Sequence, residues 1–346
     1  MSLDRIRLAS LHDKVISAEE ASAFIEDGMT VGMSGFTRAG EAKAVPLALV
    51  KRAHTNPLKI TLITGASLGN DLDKQLTEAG VLARRLPFQV DNTLRKAINN
   101  GEVMFIDQHL SETVEQMRNL QLKKPDVAII EAVAITEDGG IIPTTSEGNS
   151  ASFAIFAEKV IVEINTNLSP AFEGLHDIYI PTYRPTRQPI PLTQVDERIG
   201  THAINIDPAK IVGIVINNDL HDSPSTVTAP DDETQGIADH LIAFFEKEVA
   251  EERLPKNLGP LQAGIGSIAN AVLTGLKDSN FEDLVMYSEV LQDCTFELID
   301  AGKMKFASGS SITLSAKYGE KVFNNLEAYK DKLVLRPQEI SNHPEL

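Results

Sequence analysis

Glu289 follows the apolar run 284–287 with only Ser288 between them. In open α/β sheets ligands sit outside the carboxyl ends of parallel strands. A carboxylate at that place can attack a thioester carbonyl and form a covalent acyl intermediate. The competing assignment is an acid at a helix start, held there by the helix dipole. Upstream, Gln262-Ala263-Gly264-Ile265-Gly266-Ser267 leads into Ile268-Ala269-Asn270-Ala271-Val272. Gly264 and Gly266 permit a tight turn whose amide hydrogens face a bound phosphate or a developing oxyanion at a helix start. A plain strand–helix turn uses glycines in the same way. The dinucleotide fingerprint is met only in its looser form, because Ala269 takes the third glycine position, and a phosphate-loop lysine is missing.

Other reactive residue types fit bland assignments. The histidines at 12, 54, 109, 176, 202, 221, 240 and 343 have no ligand spacing, so no metal is expected. Neither Ser67 nor the serines at 308, 310 and 311 lie in a nucleophile elbow. Arg184 and Arg187 can meet an anion or remain solvated. Cys294 falls on the apolar side of the helix after Glu289 and reads as packing.

The scaffold around these residues reads as alternating strands and helices. Short apolar runs at 30–33, 60–63, 103–106, 127–130, 159–164 and 210–216 are bounded by turn residues and predict strands. Amphipathic segments at 18–26, 43–53, 72–79, 93–99, 111–119 and 150–157 predict helices between them. Alternation of this kind implies an α/β fold with a mostly parallel, covered sheet, and Asp138-Gly139-Gly140 adds a hairpin that makes it mixed. Residues 235–252 predict an amphipathic helix with Ile237, Leu241, Phe244 and Phe245 on one face.

An internal echo suggests two domains of one topology. Leu62-Ile63-Thr64-Gly65-Ala66-Ser67, followed by Leu72, Leu76 and Ala79-Gly80, matches Leu284-Val285-Met286-Tyr287-Ser288-Glu289, followed by Cys294, Leu298 and Ala301-Gly302. The echo sets Ser67 opposite Glu289. The expected division is a first domain over 1–217, a linker over 218–233 and a second domain over 234–346.

Composition narrows the function classes. The 346 residues carry 49 acidic and 32 basic side chains, a formal charge of -17 that disfavours nucleic acid as a partner. Apolar runs are too short to span a bilayer. A single cysteine excludes an internal disulfide framework and points to a reducing compartment, the cytoplasm.

Taken together, Met286-Tyr287-Ser288-Glu289-Val290-Leu291-Gln292-Asp293, the Gly264–Val272 segment (264–272) and the ending Leu335-Arg336-Pro337-Gln338-Glu339-Ile340-Ser341-Asn342-His343-Pro344-Glu345 resemble the acetyl-CoA hydrolase/transferase family. Ser34-Gly35-Phe36-Thr37, Thr64-Gly65-Ala66-Ser67, Leu94-Arg95-Lys96, His109-Leu110-Ser111, Gly148-Asn149 and Gly174-Leu175-His176-Asp177 fit its succinate CoA-transferase branch, which exchanges CoA among acetate, propionate and succinate. The resemblance runs collinearly over essentially the whole chain. It implies two similar CoA-transferase-type α/β domains, with coenzyme A as substrate and no permanently bound cofactor. Glu289 would be the nucleophile that becomes a glutamyl-CoA thioester. The Ile265 backbone N–H would face the oxyanion, with Gly264 and Gly266 shaping the substrate loop. Asn342 would orient Glu289, and Ser67 and Thr93 would help position the acyl group. The partners implied are acyl-CoA and short carboxylates, and the assembly a homo-oligomer, a dimer.

One departure stands out. The family's later Gly-Gly-Ser-Gly-Asp-Phe loop does not occur here, so the chain is expected to be the N-terminal part of a longer enzyme, its second domain incomplete with an exposed sheet edge. Alternatives to the CoA-transferase are an acetyl-CoA hydrolase, a non-catalytic acyl-CoA-binding fragment, and a sugar-phosphate isomerase or ligand-sensing domain of similar topology.

Overall fold

The computed structural model describes residues 3–226 and 231–346. The part of the expected linker at 227–230 lies outside the described residues. Eight strands form the larger sheet: β1 (Thr30–Met33), β2 (Ile60–Ile63), β3 (Leu82–Leu86), β4 (Met104–Phe105), β5 (Val127–Ile135), β6 (Ile141–Pro143), β7 (Lys159–Asn165) and β8 (Ile211–Asn217). Their order is β4-β3-β2-β1-β5-β7-β8, parallel throughout, with β6 antiparallel to β5. The Asp138-Gly139-Gly140 turn makes that hairpin, and Gly139 takes a φ of 86° that a side chain would resist. Each residue of β5 is buried, as expected of a parallel strand covered on both faces. Helices α1 (Ala18–Ser22), α2 (Ala44–Ala53), α3 (Leu72–Glu78), α4 (Asn92–Asn99), α5 (Thr113–Arg118) and α6 (Ser150–Phe156) connect these strands. Ser17 starts α1 with a capping box, and Asp91 caps α4 by accepting from the Thr93 and Leu94 amides.

The remaining elements are α7 (Asp232–Ala250), β9 (Pro260–Leu261), α8 (Ser267–Asp278), β10 (Leu284–Tyr287), β11 (Val290–Leu291), α9 (Asp293–Asp300), β12 (Met304–Gly309), β13 (Ser311–Ile312), α10 (Ala316–Phe323), β14 (Leu333–Leu335) and α11 (Gln338–Ser341). They build a parallel sheet ordered β14-β12-β10-β9, while β11 and β13 pair separately. The echo in the sequence is now a topological one. β2 lies between β1 and β3, and β10 between β9 and β12, each with a helix before and after it. Residues Gly65–Ser67 (65–67) and 287–289 therefore leave equivalent strand ends.

The two units share a core. Val133, Ile142, Phe172 and Leu175 of the first pack with Leu284, Met286, Phe296 and Leu335 of the second. Outer strand β14 is covered by the first unit, through Leu335 N–H to Leu175 O and Asp177 N–H to Leu335 O. At the other edge, β9 has β10 as its only neighbour among the described residues.

Two expectations need correction. Strand β3 went unread because Arg84 and Arg85 interrupt its apolar run; Arg85 is fully buried and pairs with Asp73 of α3. Helix α7 turns inward a face that keeps Phe245 of the expected stripe but not Ile237 or Phe244. Ala238 is buried and Ile242, Phe245 and Val249 pack on the second core, whereas Ile237 and Phe244 are exposed, the latter at 52%. The cause lies on α8: a Cβ on Gly275 would stand 2.5 Å from the tip of Ile242, so the missing side chain lets α7 approach there.

Candidate functional site between two strand ends

The carboxyl end of β2 is held tightly. The Thr64 hydroxyl donates to Ala66 O at 2.6 Å, and Arg85 Nη2 donates to the same carbonyl at 3.0 Å. Arg85 Nε in turn donates to Asp73 Oδ1 at 2.8 Å inside the protein. Asp73 Oδ2 accepts the Leu68 amide, so the loop carrying Ser67 is clamped from both sides. Ser67 is buried, and its carbonyl accepts the Arg38 amide at 3.1 Å.

Opposite it, Glu289 leaves the end of β10. Its carbonyl accepts the Ser310 amide at 2.7 Å, which fixes the backbone. Its carboxylate has no hydrogen-bond partner among the described residues and is half-buried. Burial raises the Glu289 carboxyl above the usual range, and His109 pulls it the other way. A small cluster joins the two strand ends: Ala66 and Val290 pack with Phe36, and Leu110 lies against them. Thus the residues next to Ser67 and Glu289 meet in one cluster around Phe36.

The glycine turn lies next to Glu289. Ser288 Oγ donates to Ala263 O at 3.2 Å, and Gln292 Nε2 donates to Gly264 O at 3.1 Å. Gly266 stands before α8 with φ 141° and ψ 173°, and no side chain caps this helix start. Its amides are free to meet an anion, as the glycine spacing implies. Ile265 and Ile268 flank them at 62% and 51% exposure. Behind this loop is a cavity of about 520 Å³ lined by Phe245, Leu261, Val272 and Leu276.

Asn342 and Thr93 are placed differently. Asn342 lines a second cavity, about 470 Å³, with Tyr287, Gln262 and His343. Its Nδ2 donates to Gln338 O at 3.2 Å, so that amide group is engaged within α11 and not on Glu289. Thr93 lies in the first turn of α4, its amide on Asp91 Oδ1, and no hydrogen bond joins it to Glu289 among the described residues. Among the described residues, no group of three or more His, Cys, Asp or Glu is arranged to hold a metal ion, and no helix is long and apolar enough to cross a membrane. Cys294 is buried, with its thiol pushed up to about 12 by desolvation.

Residues 2–216 match the family described as the acetyl-CoA hydrolase/transferase N-terminal domain. The chain belongs to the acetyl-CoA hydrolase/transferase family. This family member is 45% identical over 344 residues to the succinyl-CoA:acetate CoA-transferase of Clostridium kluyveri, covering 99% of this chain and 64% of the relative. It is 43% identical over 353 residues to the acetyl-CoA hydrolase of Schizosaccharomyces pombe, covering 99% of this chain and 67% of that protein. The chain therefore spans about two thirds of the length of these curated relatives. Among solved structures, RipA from Yersinia pestis superposes with a TM-score of 0.71 at 17% identity, covering 97% of this chain and 71% of RipA. The 4-hydroxybutyrate CoA-transferase of Porphyromonas gingivalis gives 0.63 at 18%, covering 97% and 70%. Both share the fold of this acetyl-CoA hydrolase/transferase family member.

Several residues that shape the family member's cleft had no signal in sequence reasoning. Gln338 Nε2 donates to Gly65 O at 3.0 Å and to Leu110 O at 2.8 Å, so α11 ties together two first-unit loops. Arg85 was hidden in an unread strand; a charged pair inside an apolar run was the available sign. At the centre of the larger sheet, where strand order reverses between β1 and β5, Lys43 Nζ lies 2.6 Å from Glu131 Oε1 and 2.7 Å from Asp222 Oδ1. Such reversals commonly bind ligands, but this one is filled by the protein's own buried ions.

Proposed function

We propose that the protein moves CoA between a short-chain acyl-CoA and a carboxylate, with Glu289 as the covalent carrier. What carries this reading is the half-buried, unpartnered Glu289 carboxylate at a strand end, beside uncapped amides at the start of α8. A carboxylate is a weak nucleophile in water, and desolvation strengthens it. Attack on the thioester carbonyl forms a bond from the Glu289 oxygen to the acyl carbon and expels CoA thiolate, leaving a mixed anhydride. The thiolate then attacks the glutamyl carbonyl, the first carboxylate departs, and a Glu289–CoA thioester remains. A second carboxylate reverses these steps, giving ping-pong kinetics. The Ile265 amide faces the developing oxyanion, and loss of such a donor typically costs roughly 10²–10³ in rate. Ser67 and Thr93 position the acyl group, and Asn342 turns toward Glu289 once substrate is bound. Succinate, acetate and propionate are the carboxylates the family branch suggests.

A second reading is acetyl-CoA hydrolysis, supported by relatives of that name at 43% identity. It differs only in that water takes the glutamyl thioester. The test is intact mass after acetyl-CoA without acceptor. The transferase reading expects a stable CoA adduct on Glu289, which borohydride reduces to an alcohol with irreversible loss of exchange. Steady CoA release without an adduct favours the hydrolase; neither adduct nor turnover rejects Glu289 as carrier.

A further inference from the structure

We propose that His109 is the group that receives the incoming carboxylate, donating a hydrogen bond from Nε2 to one of its oxygens across the cleft from Glu289. This deepens the reading of Glu289 as CoA carrier and rests on it.

The argument begins with the ring's tautomer. His109 Nδ1 lies 2.9 Å from Ser111 Oγ and 3.4 Å from the Ser111 backbone nitrogen. A backbone N–H can only donate, so Nδ1 is an acceptor. In the neutral ring the proton therefore sits on Nε2. That N–H has no partner among the described residues, and His109 is exposed.

Position follows from its neighbour. Leu110 packs against the cluster of Phe36, Ala66 and Val290, of which Ala66 adjoins Ser67 and Val290 adjoins Glu289. Gln338 donates to the Leu110 carbonyl at 2.8 Å and to the Gly65 carbonyl at 3.0 Å, so the loop is fixed relative to the end of β2. In its charged form the ring also pulls the Glu289 carboxyl down, against the upward push of burial.

The chemistry asks for such a donor. A carboxylate entering this site meets a protein of net charge -17. Once Glu289 carries CoA its own charge is gone, and an N–H on the facing wall gives the anion a directed contact. An acyl-CoA thioester carries no such charge at its carbonyl, so the donor favours the free carboxylate, departing or entering, over the acyl-CoA.

The test compares the full chain with His109→Ala, His109→Gln and Ser111→Ala. Two quantities are read: the KM for acetate or succinate against that for acyl-CoA, and carboxylate affinity by direct titration. His109→Ala should raise acceptor KM and carboxylate Kd by about 10–100-fold, the range of a hydrogen bond to a charged group, with acyl-CoA KM and melting temperature little changed. His109→Gln, which still offers an N–H, should recover most of the loss. Ser111→Ala, which removes the hydroxyl contact but keeps the backbone N–H on Nδ1, should stay nearer to wild type than to His109→Ala. Acceptor KM within twofold of wild type in His109→Ala, or an equal rise in acyl-CoA KM, overturns the proposal. If the alanine variant does not fold, a glutamine variant whose carboxylate affinity equals that of a His109→Leu protein overturns it instead. Should wild type form no CoA adduct, the Glu289 reading fails, while the titration still decides His109.

Discussion

Glu131 on β5 and Glu289 beyond β10 are both carried by parallel strands, and their surroundings are opposite. Glu131 is completely buried and matched on every side: Lys43 Nζ at 2.6 Å, Asn165 Nδ2 at 2.9 Å and the Thr144 hydroxyl at 2.6 Å. Burial raises it to about 8 against the pull of Lys43, while the Lys43 ammonium is held above its ordinary range. Glu289 is half-buried and no protein donor reaches its carboxylate among the described residues. Burial alone therefore does not mark a reactive acid. An acid with both oxygens hydrogen-bonded inside the protein is committed to the fold; a half-exposed acid without a protein donor keeps its oxygens available to a ligand.

The sharpest way to break this contrast is to remove each acid. Glu289→Ala should lower CoA exchange by roughly 10³-fold or more, as expected when a covalent nucleophile is deleted. Its stability should stay within about 0.5 kcal/mol of wild type, because no side-chain hydrogen bond or ion pair among the described residues is lost. Glu289→Asp should fail almost as badly, since one methylene withdraws the nucleophile beyond the ~0.5 Å tolerance of a preorganised site. Near wild-type exchange in the alanine variant would remove Glu289 from the mechanism.

Glu131→Ala should do the reverse in kind. It leaves Lys43 and Asp222 in a buried network with one partner gone, a change that typically costs 3–5 kcal/mol. Urea unfolding should show that loss directly, and the isosteric Glu131→Gln should lose less. If Glu131→Ala unfolds at the wild-type midpoint, the Lys43–Glu131 contact contributes nothing to stability.

A finer comparison lies within the glycine turn. Neither Gly264 nor Gly266 has an atom within 4 Å of where a Cβ would stand, so crowding is no factor at either. Only Gly266, at φ 141° and ψ 173°, occupies a region essentially restricted to glycine. Gly266→Ala should meet about 1–3 kcal/mol of local strain, shifting the amides before α8 and lowering exchange by about 10–100-fold. Gly264→Ala should fold and exchange CoA within a fewfold of wild type. Equal losses at both positions would show that space, not backbone angle, governs the turn.

These contrasts also explain what was legible in the sequence. Strands β1, β2, β5, β7 and β8 were readable because parallel, doubly covered strands are nearly unbroken apolar runs. Strand β3 was not, since Arg85 is a buried ion inside it, and hydropathy cannot distinguish a paired arginine from a surface one. Of the expected stripe on α7 only Phe245 faces the core, because Ile237, Leu241 and Phe244 have the same spacing as the packed Ala238, Ile242 and Phe245. The choice between them was made by Gly275 on α8, a residue outside the helix. At the site, glycine spacing and a strand-end acid were visible as patterns. The Ser111–His109 pair and the Gln338 clasp were not, since they depend on loops that meet only after folding.

Glu147 gives the smallest of the expected effects and isolates burial from pairing. It is completely buried, its Oε1 accepts the Ala151 amide at 3.0 Å, and its Oε2 has no partner among the described residues. Desolvation raises it to about 8, the Ala151 amide acts in the lowering sense, and Glu339 adds to the rise. Unlike Glu131, it has no lysine against it. Because the folded value lies above the unfolded one, the folded state keeps a proton that the unfolded chain has already released. This contribution therefore favours the folded state below about 4.5 and is lost progressively as pH rises to about 8. Glutamine at this place cannot ionise, so Glu147→Gln should remove that part of the slope. At pH 8–9 the variant should be more stable than wild type by about 1–3 kcal/mol, the scale of one unmatched buried polar group. Below about pH 5 the two should unfold alike. Glu41, raised to about 7 mainly by burial, acts in the same sense, so a residual decline with pH should persist in the variant. Urea midpoints measured from pH 5 to 9 decide it: parallel curves for the two proteins would mean that Glu147 is already ionised in the fold at neutral pH, with its charge matched by a partner such as bound water.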